Sequence, residues 1–277
     1  MCRNISSTVY GTSLAVIIVL ALSSTQTAFA RWTQTQQPDR GIKLKPGESK
    51  SGRPGKKNAG GERPELILQT GHSVKVDAMA FSPDGLYIAT GGVDKTIKIW
   101  DVAEGRELRT LAGHTGGVKA VAFSPGSPAV SQDRSLIASG GNDGRIILWE
   151  TASGKEVAAF AAHASAVTSI AFSRDGRWLA SGGADFKVKL WNLATRSEAR
   201  RFDGHYRLVT SVAFSPDGAW LASGGADEVI RLWDLSKIES SKSKNLNIEP
   251  ILLEGHTGWV RSLDFSPDGG MLASSGA

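Results

Sequence analysis

The five histidines of this 277-residue chain stand in a setting that could support catalysis, because hydroxyl and carboxylate side chains recur after them. The first four, His72, His114, His163 and His205, are each followed by a serine or threonine and then by an aspartate. Serine, histidine and aspartate form the catalytic triad of many hydrolases. The residue types alone therefore raise the hypothesis of nucleophilic catalysis.

The recurrence of this set argues against catalysis. The histidines are separated by 42, 49, 42 and 51 residues, and a tryptophan follows each of the first four after 28, 35, 28 and 28 residues. A catalytic site is needed once, whereas a hydrogen-bonded network that stabilises a repeat is needed in every copy. We therefore expect these residues to be structural and predict no catalytic residue.

Metal ions and nucleotide cofactors are not expected either. No two histidines have the i, i+3 or i, i+4 spacing of a zinc site, and the single cysteine, Cys2, lies near the N-terminus. The chain contains no GxxxxGK(S/T) loop, no GxGxxG fingerprint and no EF-hand loop. We predict that the protein binds no metal and uses no cofactor.

Each repeat has the pattern of four short strands. In the first repeat, apolar positions at 76–81 are followed by a Ser-Pro-Asp-Gly turn, in which glycine accepts a positive φ. Gly91-Gly92 is expected to end the second strand. The remaining strands are predicted at 86–90, 96–100 and 107–111. Four antiparallel strands make a small sheet with two apolar faces, which is buried by stacking against neighbouring sheets.

The repeated motifs resemble those of WD-repeat β-propellers. They are Gly-His, Ser-Pro-Asp-Gly, a (Ser/Thr)-Gly-Gly-x-Asp turn and a closing Trp-Asp with Trp-Glu and Trp-Asn variants. The resemblance covers residues 65–277 in five copies. It implies an all-β fold, a β-propeller of four-stranded antiparallel blades with four complete blades and an incomplete fifth. The units are expected at about 65–111, 112–160, 161–202, 203–253 and 254–277.

The resemblance also implies a buried hydrogen-bonded tetrad in each complete blade. Its members are a histidine, a strand hydroxyl, a turn aspartate and a tryptophan. In this sequence the sets are His72, Thr90, Asp94 and Trp100; His114, Ser139, Asp143 and Trp149; His163, Ser181, Asp185 and Trp191; and His205, Ser223, Asp227 and Trp233. Such a network stabilises a buried turn only when all of its polar groups are satisfied.

The first 30 residues have the features of a secretory signal peptide. An apolar run at 14–22 follows Arg3, and Ala28 and Ala30 give the small-x-small pattern of a signal-peptidase site. This run is too short to cross a bilayer, which takes about 20 apolar residues. We expect a cleaved signal at 1–30, a periplasmic or extracellular protein, and no stable membrane span after cleavage. An uncleaved anchor or a disordered start is the alternative.

Residues 31–64 are predicted to be a disordered linker rich in basic residues, Gly, Pro and Gln. They hold nine basic and three acidic residues but few apolar ones, so burial cannot offset the entropy of ordering them. Residues 65–277 carry 22 basic and 24 acidic residues, so no nucleic-acid partner is expected for the folded part. The linker could attract anionic lipid, cell-wall polymer or nucleic acid, but a solvated spacer is the simpler interpretation.

Strand order places the Gly-His loop and the aspartate turn of every blade on one edge, which we call the Gly-His rim. The resemblance implies that this rim is the commonest docking surface for protein partners. Positions three and five after each histidine vary and supply the candidate partner-binding residues Lys75, Asp77, Lys119, Thr168, Leu208, Thr210, Trp259 and Arg261. An ordinary mixed surface is one alternative. Insertions at 126–135 and 236–249, on the opposite rim, are either a second contact surface or tolerated loops.

These features favour a non-catalytic protein-interaction scaffold built on a WD-repeat propeller. Two alternatives stay open: a regulatory region of a longer enzyme, such as a caspase-like peptidase with its catalytic domain beyond residue 277, or a small-ligand site in the central channel. The fifth unit stops at Ala277 before its aspartate and tryptophan, and residues 66–69 resemble the strand that closes such rings. We therefore expect the front part of a longer protein or a truncated reading frame.

Overall fold

The computed structural model describes residues 71–125, 135–236, 238 and 248–277. The predicted signal peptide at 1–30, the linker at 31–64 and the closing strand at 66–69 lie outside these residues, as does most of each insertion. The described residues form the antiparallel strands β1 to β18.

Sixteen of these strands form four sheets, each folded from four consecutive strands. The first blade comprises β1 (Val76–Phe81), β2 (Tyr87–Gly92), β3 (Thr96–Asp101) and β4 (Glu107–Ala112). The second comprises β5 (Val118–Phe123), β6 (Leu136–Gly141), β7 (Arg145–Glu150) and β8 (Glu156–Ala161). The third comprises β9 (Val167–Phe172), β10 (Trp178–Gly183), β11 (Val188–Asn192) and β12 (Ser197–Phe202). The fourth comprises β13 (Val209–Phe214), β14 (Trp220–Gly225), β15 (Ile230–Asp234) and β16 (Ile251–Leu253).

The remaining two strands, β17 (Val260–Phe265) and β18 (Leu272–Gly276), pair with each other as a fifth unit. Four four-stranded blades followed by an incomplete fifth confirm the predicted all-β propeller fold.

The Ser-Pro-Asp-Gly turn joins the first two strands of a blade and is stabilised by its own side chains. In the first blade, the Ser82 hydroxyl donates to Asp84 Oδ1, which also accepts the backbone N–H of Leu86 at 3.0 Å. Gly85 has a φ of 72°, in the left-handed region that glycine adopts without a Cβ clash. Ser82 Oγ then accepts the N–H of Tyr87 at 2.9 Å, and this bond fixes the start of β2.

The second strand extends further than the sequence analysis predicts. Gly91 and Gly92, expected to end it, are its last two residues, and Gly91 pairs with a residue on each side. A Cβ on Gly91 would lie 2.5 Å from Cγ1 of Val118 in the next blade. Close approach between blades, rather than a turn, therefore requires this glycine.

The same interlock recurs at every junction between described blades. The equivalent pairs are Gly140 with Val167, Gly182 with Val209, and Gly224 with Val260. The first strands of successive blades contact each other, and four clusters of buried apolar side chains lie at these junctions. The hydrophobic core is thus divided between blades, and the fifth unit has Ser275 where the other four have the interlocking glycine.

The first blade presents an apolar face that the described residues leave uncovered. Val76, Met79 and Phe81 on β1 are 45%, 63% and 56% exposed. Their counterparts on β5, such as Val121 and Phe123, are 8% exposed because they pack against the first blade. Burial of these positions therefore depends on the preceding blade and not on the strand's own sheet.

Candidate functional site

The Gly-His loop and the aspartate turn bring the tetrad residues together in all four complete blades. In the second blade, His114 Nδ1 donates to Asp143 at 3.0 Å, and the Ser139 hydroxyl donates to His114 Nε2 at 2.8 Å. Trp149 Nε1 donates to Ser139 Oγ at 2.8 Å. The equivalent bonds measure 2.7 to 2.9 Å in the tetrads of His72, His163 and His205.

Strands and turns of the second blade hold these groups in place. Ser139 lies in β6 and Trp149 in β7, while Asp143 occupies the turn between the two strands. Asp143 accepts the backbone N–H of Thr115 at 2.8 Å and that of Arg145 at 3.1 Å. The aspartate therefore ties the loop that enters the blade to the turn inside it.

Burial sets the protonation of three tetrad histidines, and hydrogen bonds set that of the aspartates. It lowers the pKa of His114, His163 and His205 despite the adjacent carboxylates, so the rings are neutral at neutral pH. Burial acts to raise the pKa of Asp143, but hydrogen bonds from backbone N–H groups and from His114 outweigh it, so this pKa lies below its usual value. A similar balance lowers the pKa of Asp94, Asp185 and Asp227. A neutral ring whose Nδ1–H faces a carboxylate leaves Nε2 to accept the hydroxyl proton.

The tetrad has the same order of hydrogen-bonded groups as a hydrolase triad, but a substrate cannot reach its serine hydroxyls. Ser139, Ser181 and Ser223 have no solvent-exposed surface, and each hydroxyl oxygen already accepts an indole N–H. A nucleophile must reach the carbon that it attacks, whereas these oxygens are enclosed. The arrangement satisfies buried polar groups and fixes a turn, which is a structural function.

Arg231 joins the fourth tetrad, a contact that the sequence analysis missed. Its Nη1 donates to Asp227 Oδ2 at 2.8 Å from a buried position. In the strand ladder it faces Ser223, where the first and third blades have Lys98 and Lys189. Those lysines pair with glutamates of the fourth strand instead. The signal in the sequence that could have indicated this contact is a cationic residue two positions before the tryptophan.

The fifth unit contains a further histidine–hydroxyl pair. A hydrogen bond of 2.8 Å joins Ser274 Oγ and His256 Nε2, and both residues are buried. Burial lowers the pKa of His256. The predicted sets covered only the four complete blades, so the alignment of Ser274 with Ser223 is the signal that identifies this pair.

Three of the candidate partner-binding residues form one ionic cluster between the first two blades. Asp77 accepts hydrogen bonds from Lys119 and Lys75, each with a nitrogen-to-oxygen distance of 2.6 Å. These bonds, that from Lys119 first, lower the pKa of Asp77. The carboxylate is buried, whereas the Lys75 side chain is 78% exposed, so the cations are the part of this cluster that solvent reaches.

The hydroxyls of Thr168 and Thr210 join blades. Thr168 donates to the carbonyl oxygens of Gly182, at 2.8 Å, and of Val209 in the next blade. Thr210 makes the equivalent pair of contacts one blade later. Leu208 is half-buried. The polar groups of both threonines are therefore engaged within the propeller.

Trp259 and Arg261 lie on the accessible part of the rim. Trp259 is 41% exposed, and the guanidinium carbon of Arg261 lies 5.7 Å from the centroid of its ring. That distance is within the range of a cation–π contact. The pair therefore presents a flat aromatic surface beside a positive charge.

Further exposed apolar side chains accompany this pair on the Gly-His rim. Tyr206 follows His205 directly and is 64% exposed, and Phe186 in the turn after β10 is 42% exposed. The other members are Val74 and Val93. Phe186 has a φ of 69°, a conformation that bulky residues rarely adopt. Tyr206 and Phe186 were not among the predicted residues, and the signal that could have identified them is that their counterparts in other blades are small or charged, such as Ala164 and Glu228.

The described residues offer neither a metal site nor a helix suited to a membrane. Within those residues, no group of three or more His, Cys, Asp or Glu side chains is arranged to hold a metal ion. None of the helices found there combines the length and the apolar character that crossing a membrane requires.

Four-stranded blades with a repeated His-hydroxyl-Asp-Trp tetrad define a β-propeller built from sequence repeats. The model of the WD domain, G-beta repeat family matches residues 64–101, 105–150, 154–192, 196–234 and 249–277. These matches cover more than half of the chain, and the protein belongs to this family.

Individual relatives are similar over shorter stretches. The periodic tryptophan protein 2 homolog of Dictyostelium discoideum is 45% identical over 60 residues, which are 22% of this chain and 6% of the relative. Nuclear distribution protein PAC1-2 of Postia placenta is 39% identical over 74 residues, which are 20% of this chain and 17% of the relative. An uncharacterized WD repeat-containing protein of Synechocystis is 42% identical over 66 residues, which are 24% of this chain and 18% of the relative. The chain thus aligns with less than a fifth of each relative.

Proposed function

We propose that this protein is a non-catalytic scaffold that binds one or more protein partners through the Gly-His rim. The observation that carries the proposal is the group of exposed apolar side chains on this rim, with Tyr206 and Trp259 exposed at 64% and 41%. Tyrosine, tryptophan and arginine are enriched among the residues that dominate binding energy at interfaces. Trp259 with Arg261 and Tyr206 with the adjacent Arg207 supply these types on neighbouring blades.

Phe186 supports the same surface. A phenylalanine with a positive φ has a strained backbone, and the described residues leave 42% of Phe186 exposed, which keeps apolar surface in water. The equivalent turn positions have Lys95, Gly144 and Glu228, which suit solvent better. Burial of the phenylalanine ring against a partner would offset this cost.

The non-catalytic part of the proposal is supported by the tetrads. The serine hydroxyls of three tetrads are enclosed, and the same set stands in four blades with the same bonds. A group that is repeated four times and is closed to substrate in three of its copies is explained by blade stability without a reaction.

Export is a further part of the proposal, supported by the apolar run at 14–22 and the Ala28–Ala30 pattern. The mature chain would begin at Arg31. Mass spectrometry of the protein from cell fractions of its natural source is expected to find this N-terminus outside the cytoplasm. Recovery of an intact N-terminus from the cytoplasm would contradict export.

Partner binding is tested with a pair of matched variants. Tyr206→Ser with Trp259→Ser removes two exposed rim aromatics, whereas Leu86→Ser with Met271→Ser removes two exposed apolar residues on the opposite rim. Quantitative affinity purification from the natural source is expected to recover the same partner with the wild type and the control, and about tenfold less with the rim variant. Equal recovery with the rim variant and the wild type would show that binding occurs elsewhere.

A further inference from the structure

A cleft lies between the first and second blades, on the rim opposite the Gly-His rim. Its volume is about 520 Å³, and its apolar wall consists of Tyr87, Ile99 and Leu108. The polar lining includes Arg109 from β4 and Thr151 from the segment after β7. The volume falls within the range of about 300–1,000 Å³ typical of small-molecule sites.

The cleft coincides with a smaller residue two positions after the blade tryptophan. The third and fourth blades have Leu193 and Leu235 there, both buried in the cluster shared with the preceding blade. The second blade has Thr151, whose shorter side chain donates to Ser135 Oγ at 3.3 Å. At the junction of the third and fourth blades, the corresponding space is only about 210 Å³.

The hydrogen-bonding groups of the cleft are unevenly satisfied. Among the described residues, the Arg109 guanidinium and the Tyr87 hydroxyl have no hydrogen-bond partner. The aliphatic part of Arg109 passes beside Gly154, where a Cβ would lie 3.1 Å from Arg109 Cδ. This glycine therefore leaves room for the arginine stem against the second blade.

The acidic groups of the lining, by contrast, already accept hydrogen bonds. Asp84 accepts the Ser82 hydroxyl and the Leu86 N–H, and Glu150 accepts the Ser153 hydroxyl. Asp84 and Glu150 keep further acceptor sites, whereas the Arg109 guanidinium, with five N–H groups, is the only cation among the described lining residues, and the Tyr87 phenol adds one O–H. A guanidinium fork matches the two oxygens of a carboxylate.

We propose that this cleft binds a small carboxylate that carries an aromatic or branched aliphatic group. Arg109 donates to the carboxylate, Tyr87 adds a second donor, and the apolar group packs against Ile99 and Leu108. Both a free aryl or alkyl acid and the C-terminal residue of a peptide have this chemistry. The site is independent of the Gly-His rim and does not rest on the scaffold function.

Calorimetric titration of the full chain tests the site with defined probes. The probes are 3-phenylpropionate for a free acid, N-acetylphenylalanine for a peptide C-terminus, and 3-phenylpropionamide and 3-phenylpropylamine as neutral and cationic analogues. We expect saturable binding of at least one carboxylate below about 10 mM, at least about tenfold tighter than the amide. The tighter of the two carboxylates identifies the source.

Two variants locate the binding. Arg109→Gln, at an exposed position, should weaken carboxylate binding about tenfold, and Thr151→Leu should also weaken it by narrowing the cleft. Arg174→Gln and Thr195→Leu, at exposed positions of the third blade, are the matched controls and should bind as the wild type does. Undiminished binding in Arg109→Gln, equal binding of acid and amide, preference for the amine, or no saturable binding would each overturn the proposal.

Discussion

The Ser223 hydroxyl shows how little freedom a single tetrad atom has. Its oxygen accepts Trp233 Nε1–H at 2.9 Å and its proton is donated to His205 Nε2 at 2.8 Å, in a position without solvent exposure. Water cannot replace a partner there. Loss of the hydroxyl therefore leaves one buried donor and one buried acceptor unsatisfied, which costs more than the hydrogen bonds themselves contribute.

Ser223→Ala is accordingly expected to lower the free energy of unfolding by about 1–3 kcal/mol. Ser274→Ala in the fifth unit should cost less, because the described residues show that hydroxyl bonded to His256 and to no indole. Urea unfolding followed by tryptophan fluorescence measures both changes. A larger loss from Ser274→Ala than from Ser223→Ala would contradict this account of the tetrad.

Residues with a fixed place in the repeat were predictable, and residues that act across blades were not. The spacing of histidine, aspartate and tryptophan follows the turns, so the sequence indicated which side chains meet. Thr168 and Thr210 look like free rim hydroxyls in the sequence, but they donate to carbonyls 41 and 50 residues further along the chain. Only the packed array shows those contacts, and whether these threonines also bind a partner stays a prediction.

The second strand of each blade illustrates the same limit for an element. Its Gly-Gly pair has the composition of a turn, and the sequence analysis placed the strand end there. The pair instead continues the ladder, because the valine of the next blade occupies the space of the missing Cβ. A single sequence does not distinguish a glycine that is needed for close packing from a glycine that is needed for a positive φ.

Gly182→Ala tests this interlock, because the new Cβ would lie 2.5 Å from Val209 Cγ1. We expect a loss of about 1–3 kcal/mol in the free energy of unfolding from overpacking. Gly270→Ala, whose nearest neighbour atom would be 3.4 Å away, is the control and should change stability little. Adding Val209→Ala to Gly182→Ala should cost less than the two separate losses combined. Simple additivity would show that the positions do not contact each other.

For the whole molecule, the division of the core between blades couples the stability of one unit to its neighbours. The period of the repeat predicted the number of blades, since the count needs only sequence spacing. The exposed aromatics were harder to predict, because Phe186 and Tyr206 differ from their counterparts only in side-chain type. In addition, each of the second, third, fourth and fifth units buries a histidine whose pKa is lowered, so their effects on stability combine.

Mild acid is therefore expected to destabilise the propeller. The stability that comes from neutral His114, His163, His205 and His256 is present above the unfolded histidine pKa of 6.5 and is lost as the pH falls through the lower folded-state pKa values. Each ring contributes a slope of at most about 1.4 kcal/mol per pH unit, and the tetrad aspartates add a further loss below their unfolded pKa of 3.8. Urea unfolding between about pH 8 and pH 5 measures the slope, which His205→Gln should reduce because one titrating ring is removed. Stability that stays constant or rises from pH 7 to pH 5 would mean that these rings are not held neutral by burial.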